Sequence, residues 1–525
     1  MMKLYLVFLP ILIVLLSHAA NASPFEQARK HGLQARQALL QCRDYVRGWL
    51  GHQDRQSLLI PRNLTNSPYW NAQDAAADNY PFMVLTCALI DRPLFTTLMP
   101  AILEAEQRRT NRVDALPDDF SFATQQFRTE EIDMPHLIFG GSEYAKDGLM
   151  PLTEWLGPSP WQARMQGIID SIWKHAAVET PYGSLPSLNA EINGEQMQVL
   201  SRLYWMTRNE KFKEWAFRLA DYYLLAHLPT EQPELRLRDH GCEIISGLSE
   251  VYVIAHHADE ARYNQYKPQI HKMLDTILQK GANADGMFPD VINPQTGEVL
   301  RNEISDNWGY NYNAFLTIAL LDGVEAYTKA VEHALSNIHK YSEYPWERGS
   351  ADGYADSIEG ALNLLNRIPN ASAESWVETS MAIMLGKQRY DGIIEGWHGD
   401  GNFARTALLY ALWKTQGVHT PAWRADLCLG AVQQEGALYL FIQSDWDWRG
   451  PIHFDRPRHK AYLHMPADYP RINQFPEWFT VETEKNYLLQ INDTDLITIT
   501  GRDLLQGYVT ETKRDNPVRM TVKRK

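Results

Sequence analysis

Acidic side chains recur in seven polar clusters along this 525-residue chain, each just before a strongly apolar stretch of helical period. The clusters are Asp74–Asp78–Asn79, Glu143–Tyr144–Asp147, Glu191–Asn193–Glu195, Asp239–His240–Glu243, Asp306–Trp308–Tyr310, Asp352–Asp356–Glu359 and His398–Asp400–Asn402–Arg405. Carboxylates gathered in one place can divide the work of proton donor and of base or nucleophile, as cleavage of a glycosidic bond requires. The aromatics and amides among them suit a sugar, whose apolar ring faces pack on aromatic rings while its hydroxyls seek hydrogen bonds.

Four carboxylates are catalytic candidates: Glu243, Asp306, Glu359 and Glu195. Glu243 follows a turn-forming Gly241 and precedes Ile244 and Ile245; burial there would raise its pKa, as an acid catalyst needs. Its plainer reading is a first-turn Glu favoured by the helix dipole, with Asp239 as cap. Asp306 stands in Asp-Asn-Trp-Gly-Tyr-Asn, either a carboxylate beside a stacking wall or an N-cap before core aromatics. Asp356 and Glu359 share a helix face and also fit a capping box. Glu243 and Asp306 are the pair expected to handle protons. His240, Trp308, Tyr310, Asn311, Asp352, Asp356, His398, Arg405, Asp78 and Asn79 are expected to meet substrate. Arg405 opens an apolar helix and needs a partner, either a rim carboxylate or a carboxylate on the substrate.

Other chemistries lack their signatures. There is no His-Glu-x-x-His, calcium-loop or clustered Cys/His spacing, so no metal or other cofactor is expected. No Walker loop, dinucleotide fingerprint or nucleophile elbow occurs. The formal charge of −14 argues against nucleic acid. The four cysteines, Cys42, Cys87, Cys242 and Cys428, read as buried thiols, with a Cys42–Cys87 bridge as the alternative.

Positioning seven clusters calls for a repeated element. Apolar helical stretches, among them Tyr80–Ile90, Cys242–Ala255 and Phe403–Trp413, alternate with amphipathic ones such as Trp161–Val178, Lys211–Leu228 and Glu260–Gln279. Helices so close in sequence should pair as antiparallel hairpins. A closed ring puts the N-termini of all inner helices, and the clusters with them, around one hollow. The expected fold is therefore mainly α, an (α/α)6-type toroid over residues 23–420, with an open superhelical array as the alternative. After Gly417 the texture shifts to short alternating segments, so residues 421–525 are read as a small antiparallel, sandwich-like β-domain packed on the ring. Strands are expected at Leu438–Ile442, Ala461–Met465, Phe479–Glu482, Tyr487–Ile491, Leu496–Thr500 and Met520–Val522, with the stretch Pro470–Trp478 capping or supporting the ring. Residues 1–22, with Lys3, the apolar Leu4–Leu16 and Ala20-Asn-Ala22, read as a cleaved secretory leader, which implies a periplasmic or secreted protein without a membrane anchor.

With Glu143-Tyr-Ala-Lys-Asp147-Gly, Asp306-Asn-Trp-Gly-Tyr-Asn311 and Asp352-Gly-Tyr-Ala-Asp-Ser-Ile-Glu359, the chain resembles the bacterial (α/α)-toroid carbohydrate-active enzymes over roughly residues 60 to 480. Within them it looks most like exo-acting β-glucuronidases and related uronide hydrolases. The resemblance implies release of terminal uronic acid from polysaccharide fragments, with an acidic oligosaccharide as partner and a homodimer allowed. A polysaccharide lyase on the same toroid, using His240, Tyr310, Asn311, His398 and Arg405, is the alternative. A non-catalytic glycan-binding protein is the third reading.

Overall fold

The computed structural model describes residues 23–525 except 66, 67, 493 and 515. The leader read at 1–22 lies outside the described residues. Fourteen principal helices alternate between an outer and an inner layer. The outer ones are α1 (Pro24–Leu50), α3 (Leu98–Thr110), α5 (Pro160–Lys174), α7 (Glu210–Ala226), α9 (Glu260–Gly281), α11 (Glu325–Asn337) and α13 (Ala371–Leu385). The inner ones are α2 (Tyr80–Ile90), α4 (Met134–Glu143), α6 (Ala190–Thr207), α8 (Cys242–Ala258), α10 (Trp308–Asp322), α12 (Ala351–Leu365) and α14 (Gly401–Thr415). Helix α4 continues through a π-helical segment, Tyr144–Leu149, into Met150–Leu156. Each inner helix packs on the next, and α14 packs on α2, so the ring is closed. The seven polar clusters correspond to seven inner helices, so the toroid holds one hairpin more than the six-hairpin type.

Burial explains the two layers. Every residue of α8 from Cys242 to Ala255 is buried, as is nearly all of α2, α6, α10 and α14. The outer helices bury one stripe each; in α9 it is Tyr266, Ile270, Met273, Leu274 and Ile277. Outer helices α1, α5, α7, α9 and α13 begin with a Ser, Asn or Asp side chain accepting a first-turn N–H. Inner helices α2, α8, α10 and α14 have no side-chain cap, so their N-terminal N–H groups and positive dipole ends are left toward the hollow.

Inner helices approach closely where two glycines meet. A Cβ on Gly194 would fall 2.4 Å from the Glu243 carbonyl carbon, and one on Gly309 would fall 2.6 Å from Gly360. These contacts set α6 against α8 and α10 against α12.

The C-terminal part is an antiparallel sheet. Strands β1 (Cys428–Gln434), β2 (Ala437–Gln443), β4 (Asn486–Ile491), β5 (Ile497–Thr500) and β7 (Val518–Arg524) run in the order β5-β4-β7-β2-β1. A two-stranded ribbon joins β3 (Trp448–Ile452) to β6 (Tyr508–Thr512). The sheet lies against α1, where Gly430 meets Gly32 backbone to backbone. Two expected strands are not formed. Arg458–Ala461 is a helical turn, and Thr480 makes only an isolated bridge with Asp455. That stretch has left the sheet to plug the ring. All four cysteines are free and buried, and none of the described helices is long and apolar enough to cross a membrane.

The plug is held by buried charge. Arg202 lies 3.2 Å from Glu154 and 2.7 Å from Glu250. Arg471 lies 3.2 Å from Glu154 and 3.1 Å from Asp468, which also meets Arg367 at 3.2 Å. Asn363 donates to the Arg471 carbonyl and Arg202 to that of Ile472. The loop Pro470–Phe475 thus closes one end of the ring, and the hollow becomes a dead-end cavity open at the side of the inner N-termini.

Candidate active site

The cavity occupies about 370 Å³, a small-molecule size. Its wall is densely charged, with Asp74, Asp78, Glu143, Asp147, Asp239, Glu243, Glu347, Asp352 and Asp356 facing Lys146, Arg236, Arg238 and Arg405. Two π-helical turns, Ala72–Ala77 and Tyr144–Leu149, pack against each other at its edge. Each inserts an extra residue into its turn, a device common at functional sites, and each sends carboxylates inward.

Lys146 is the centre of the wall. Its Nζ lies 2.7 Å from Asp147 Oδ1 and 3.8 Å from Glu243 Oε1, so the two carboxylates are no further apart than those two distances together. That limit spans the close spacing of about 5 Å for a retaining pair and only reaches the shortest inverting spacing. Asp147 also accepts from Asn473 Nδ2 at 2.7 Å. Glu243 accepts from the Cys242 thiol at 3.3 Å, and its Oε2 is buried without a hydrogen-bond partner. Burial drives the Glu243 pKa upward, Lys146 draws it back, and it stands at about 7. The two groups therefore differ in environment. One is an acceptor clasped by a cation and an amide; the other is poised to hold a proton near neutrality.

Across the hollow, burial and Asp356 push Asp352 up to about 7 despite the hydrogen bond from Asn402. Burial also raises Asp78 and Glu143 well above the carboxylate range, reinforced by neighbouring acids. The two histidines are raised as well, which for a histidine favours the charged ring. Burial disfavours the His240 cation, but its bond with Glu191 and the charge of Asp239 at 3.0 Å outweigh this and bring the ring to about 9. His398 reaches about 9 likewise, burial being outweighed by Glu395, Asp352 and Asp78.

Of the expected residues, Glu243, Asp78, His240, Tyr310, Asp352, Asp356, His398 and Arg405 line the cavity. The others lie elsewhere. Asp306 is buried and opens onto a neighbouring cavity with Arg238, Arg301 and Tyr344. Burial and Asp356 raise its pKa well above normal. It is not an N-cap, since Asn307 takes that position. Glu359 lies beneath the wall, 2.6 Å from Arg405 Nε, accepting from Tyr310 Oη at 2.8 Å and from the Asn473 backbone at 2.7 Å. Glu195 is buried behind the wall, near enough to Lys146 and Asp147 to feel their charge. Trp308 has no open face: it is fully buried, donates to Ser357 Oγ at 2.8 Å and packs edge-on against Trp376. Asn311 donates to the Leu237 carbonyl, and Asn79 accepts from Tyr45 Oη; both are core supports. Arg405 faces the cavity with its guanidinium already engaged by Asp356 at 2.5 Å, Asn402 at 2.9 Å and Asn473 at 3.2 Å, as well as Glu359. A rim carboxylate, not a free substrate carboxylate, is thus the partner it holds here.

Several contributors were not singled out from sequence, among them Asp147, which stood in a polar cluster but not among the catalytic candidates, and Lys146, Arg236, Arg238, Glu347, Trp397 and Asn473. Lys146 sits between two residues of a recognised cluster, so charge alternation was the available signal. Trp397 precedes His398 and is 54% exposed at the mouth. Asn473 arrives from the plug with φ of 58°, and no local pattern announces it. Asp400, by contrast, is wholly structural, accepting from the backbone of Ile394, Glu395 and Gly396 and from Trp49.

No protein-family model matches this chain, and no curated protein matches it. Among solved structures it is similar to a GH76A α-1,6-mannanase from Salegentibacter sp. HEL1_6, at 13% identity and TM-score 0.40, over 59% of this chain and 96% of that one. A GH127 β-arabinofuranosidase overlaps 94% of this chain and 78% of its own, at 12% identity and TM-score 0.40. The unsaturated glucuronyl hydrolase of Bacillus sp. GL1 overlaps 54% and 86%, at 12% identity and TM-score 0.36. Overlaps this loose carry no weight for the chemistry, which rests on the cavity itself.

Proposed function

We propose that the chain is a glycoside hydrolase that removes the terminal sugar of an acidic oligosaccharide by carboxylate acid/base catalysis. The observation that carries this reading is the Asp147–Lys146–Glu243 group, two carboxylates held close by one cation in the wall of a dead-end cavity. Glu243, protonated near neutrality, gives its proton to the leaving oxygen. Asp147, on the other side of Lys146, acts on the anomeric carbon, directly or through water. The plug supports exo action, because a chain end can enter a closed hollow and a mid-chain segment cannot pass through it.

The acidic-sugar part is the uronide reading in narrower form. Lys146, Arg238 and Arg405 are all paired with wall carboxylates. Arg236 makes no ion pair among the described residues, and its buried Nε has no hydrogen-bond partner. It is the cation open to a uronate carboxylate, at the edge of the cavity. The leader read at 1–22 would put this activity outside the cytoplasm.

The test is product chemistry. Incubation with aryl β-glucuronide and with uronic-acid oligosaccharides should give products whose summed mass exceeds the substrate's by one water, with no ultraviolet-absorbing unsaturated end on the sugar. An unsaturated end would move the reading to a lyase. Binding without any product would leave a glycan-binding protein.

A further inference from the structure

A second hollow of about 370 Å³ adjoins the catalytic cavity and shares two residues with it, Arg236 and His240. Its character differs. The catalytic cavity is walled by charge, whereas here Tyr222, Tyr223, Pro229 and Ile244 form much of the wall, with Gln232 and Glu234 at its polar side. Tyr222 and His227 lie ring against ring at a tilt, with centroids 4.3 Å apart and planes 34° apart. Leu188, 56% exposed, stands at the lip. Tyr223 is fixed from behind by Asn193 Nδ2 at 3.0 Å.

The partition between the two hollows is a strained loop. His240 has φ of +64°, in the left-handed region that non-glycine residues seldom adopt. Gly241 permits the fold-back, since a Cβ there would fall 2.6 Å from Arg236 Cβ. Arg236 is thereby set between the hollows with its charge unpaired.

We infer that this lobe is the leaving-group subsite, holding the pyranose next to the terminal sugar. An apolar ring face lies on the Tyr222–His227 surface, hydroxyls meet Gln232 and Glu234, and Arg236 sits at the junction, beside the bond to be cut. An amphipathic wall fits a pyranose, which has one apolar face and a polar edge, better than it fits an ion or an aliphatic chain. This inference rests on the hydrolase reading above.

Calorimetric titration of the Glu243→Gln protein keeps substrate intact and separates the two readings. The probes are glucuronic acid and a disaccharide of glucuronic acid β-linked to glucose. The disaccharide should bind ~10-fold more tightly than the monosaccharide, the gain expected of one well-placed aromatic contact. Adding Tyr222→Ala should abolish that advantage and leave the monosaccharide affinity unchanged. Equal affinities for the two sugars, or a Tyr222→Ala loss shared by both, would overturn the lobe while leaving the hydrolase reading standing. Failure of both sugars to bind would overturn the uronide reading and the lobe with it.

Discussion

At the scale of residues, the cavity works by setting like groups apart. Glu243 and Asp147 touch the same lysine, yet one is buried with a bare oxygen and the other is clasped by Asn473. If Glu243 is the acid, it must carry its proton, so kcat/KM should fall as pH rises through about 7. A pH profile on aryl glucuronide checks this, and Glu243→Asp should displace that limb. Arg405 belongs to the frame. Its removal would strand Glu359 and Asp356 as buried, uncompensated charges, so Arg405→Ala should cost about 3–5 kcal/mol in denaturant unfolding. The acids were legible in sequence because type and clustering are local properties. Trp308 and Asn311 were misassigned because a polar or aromatic residue at a helix start looks the same whether it faces a ligand or a neighbouring helix. Asp306, likewise, points into a different hollow from its cluster-mates, which spacing alone does not encode.

At the scale of elements, the inner helices were easy to find and hard to bound. Helix α2 begins and ends where its apolar run does, at Tyr80 and Ile90. Helix α12 begins at Ala351, where Ser350 caps it, and its first three turns carry Asp352, Asp356 and Glu359. Polar residues facing a wet cavity mimic loop residues, so the first turns of inner helices read as loops. The capping box suggested for Asp356 and Glu359 is for the same reason an interior turn. Helix positions are set more finely by glycine contacts. Gly194→Ala would force α6 away from the Glu243 backbone. It should cost about 1–3 kcal/mol by overpacking, and it should lower kcat, because Glu243 moves with α8; thermal unfolding and turnover of the variant report the two effects separately. The plug was the least legible element. Its ion pairs join residues hundreds of positions apart, as Arg471 to Glu154, and only the general suggestion that Pro470–Trp478 supports the ring came from sequence.

At the scale of the whole molecule, a ring of inward-facing acids makes stability depend on pH. Asp352 and Glu243 rise from ordinary values of 3.8 and 4.5 to about 7. Between those limits the unfolded chain has released protons that the folded chain still holds, so stability falls as pH rises. His240 and His398 rise from 6.5 to about 9, and their contribution, full below 6.5, is lost on the way to 9. Asp322 and Glu395, whose pKa values are lowered against the pull of burial by bonds such as those from Tyr263 and His398, lose their contribution only under acid conditions. The melting temperature should therefore be highest in mild acid and decline steadily to pH 9, which calorimetry across that range would show. A toroid was legible from the alternation of apolar and amphipathic helices. Its closure, with α14 against α2, depends on the sum of seven small rotations that no local pattern records.

The most direct measurement is turnover of Glu243→Gln and Asp147→Asn beside the wild-type chain on the same uronic-acid substrate. Each amide keeps the side chain's shape and removes its proton chemistry, so each should lower kcat by at least ~10²-fold; Asp147→Asn also takes a charge partner from the buried Lys146, so its melting temperature should fall while the chain still folds. Wild-type turnover in both variants would contradict the assignment of this pair.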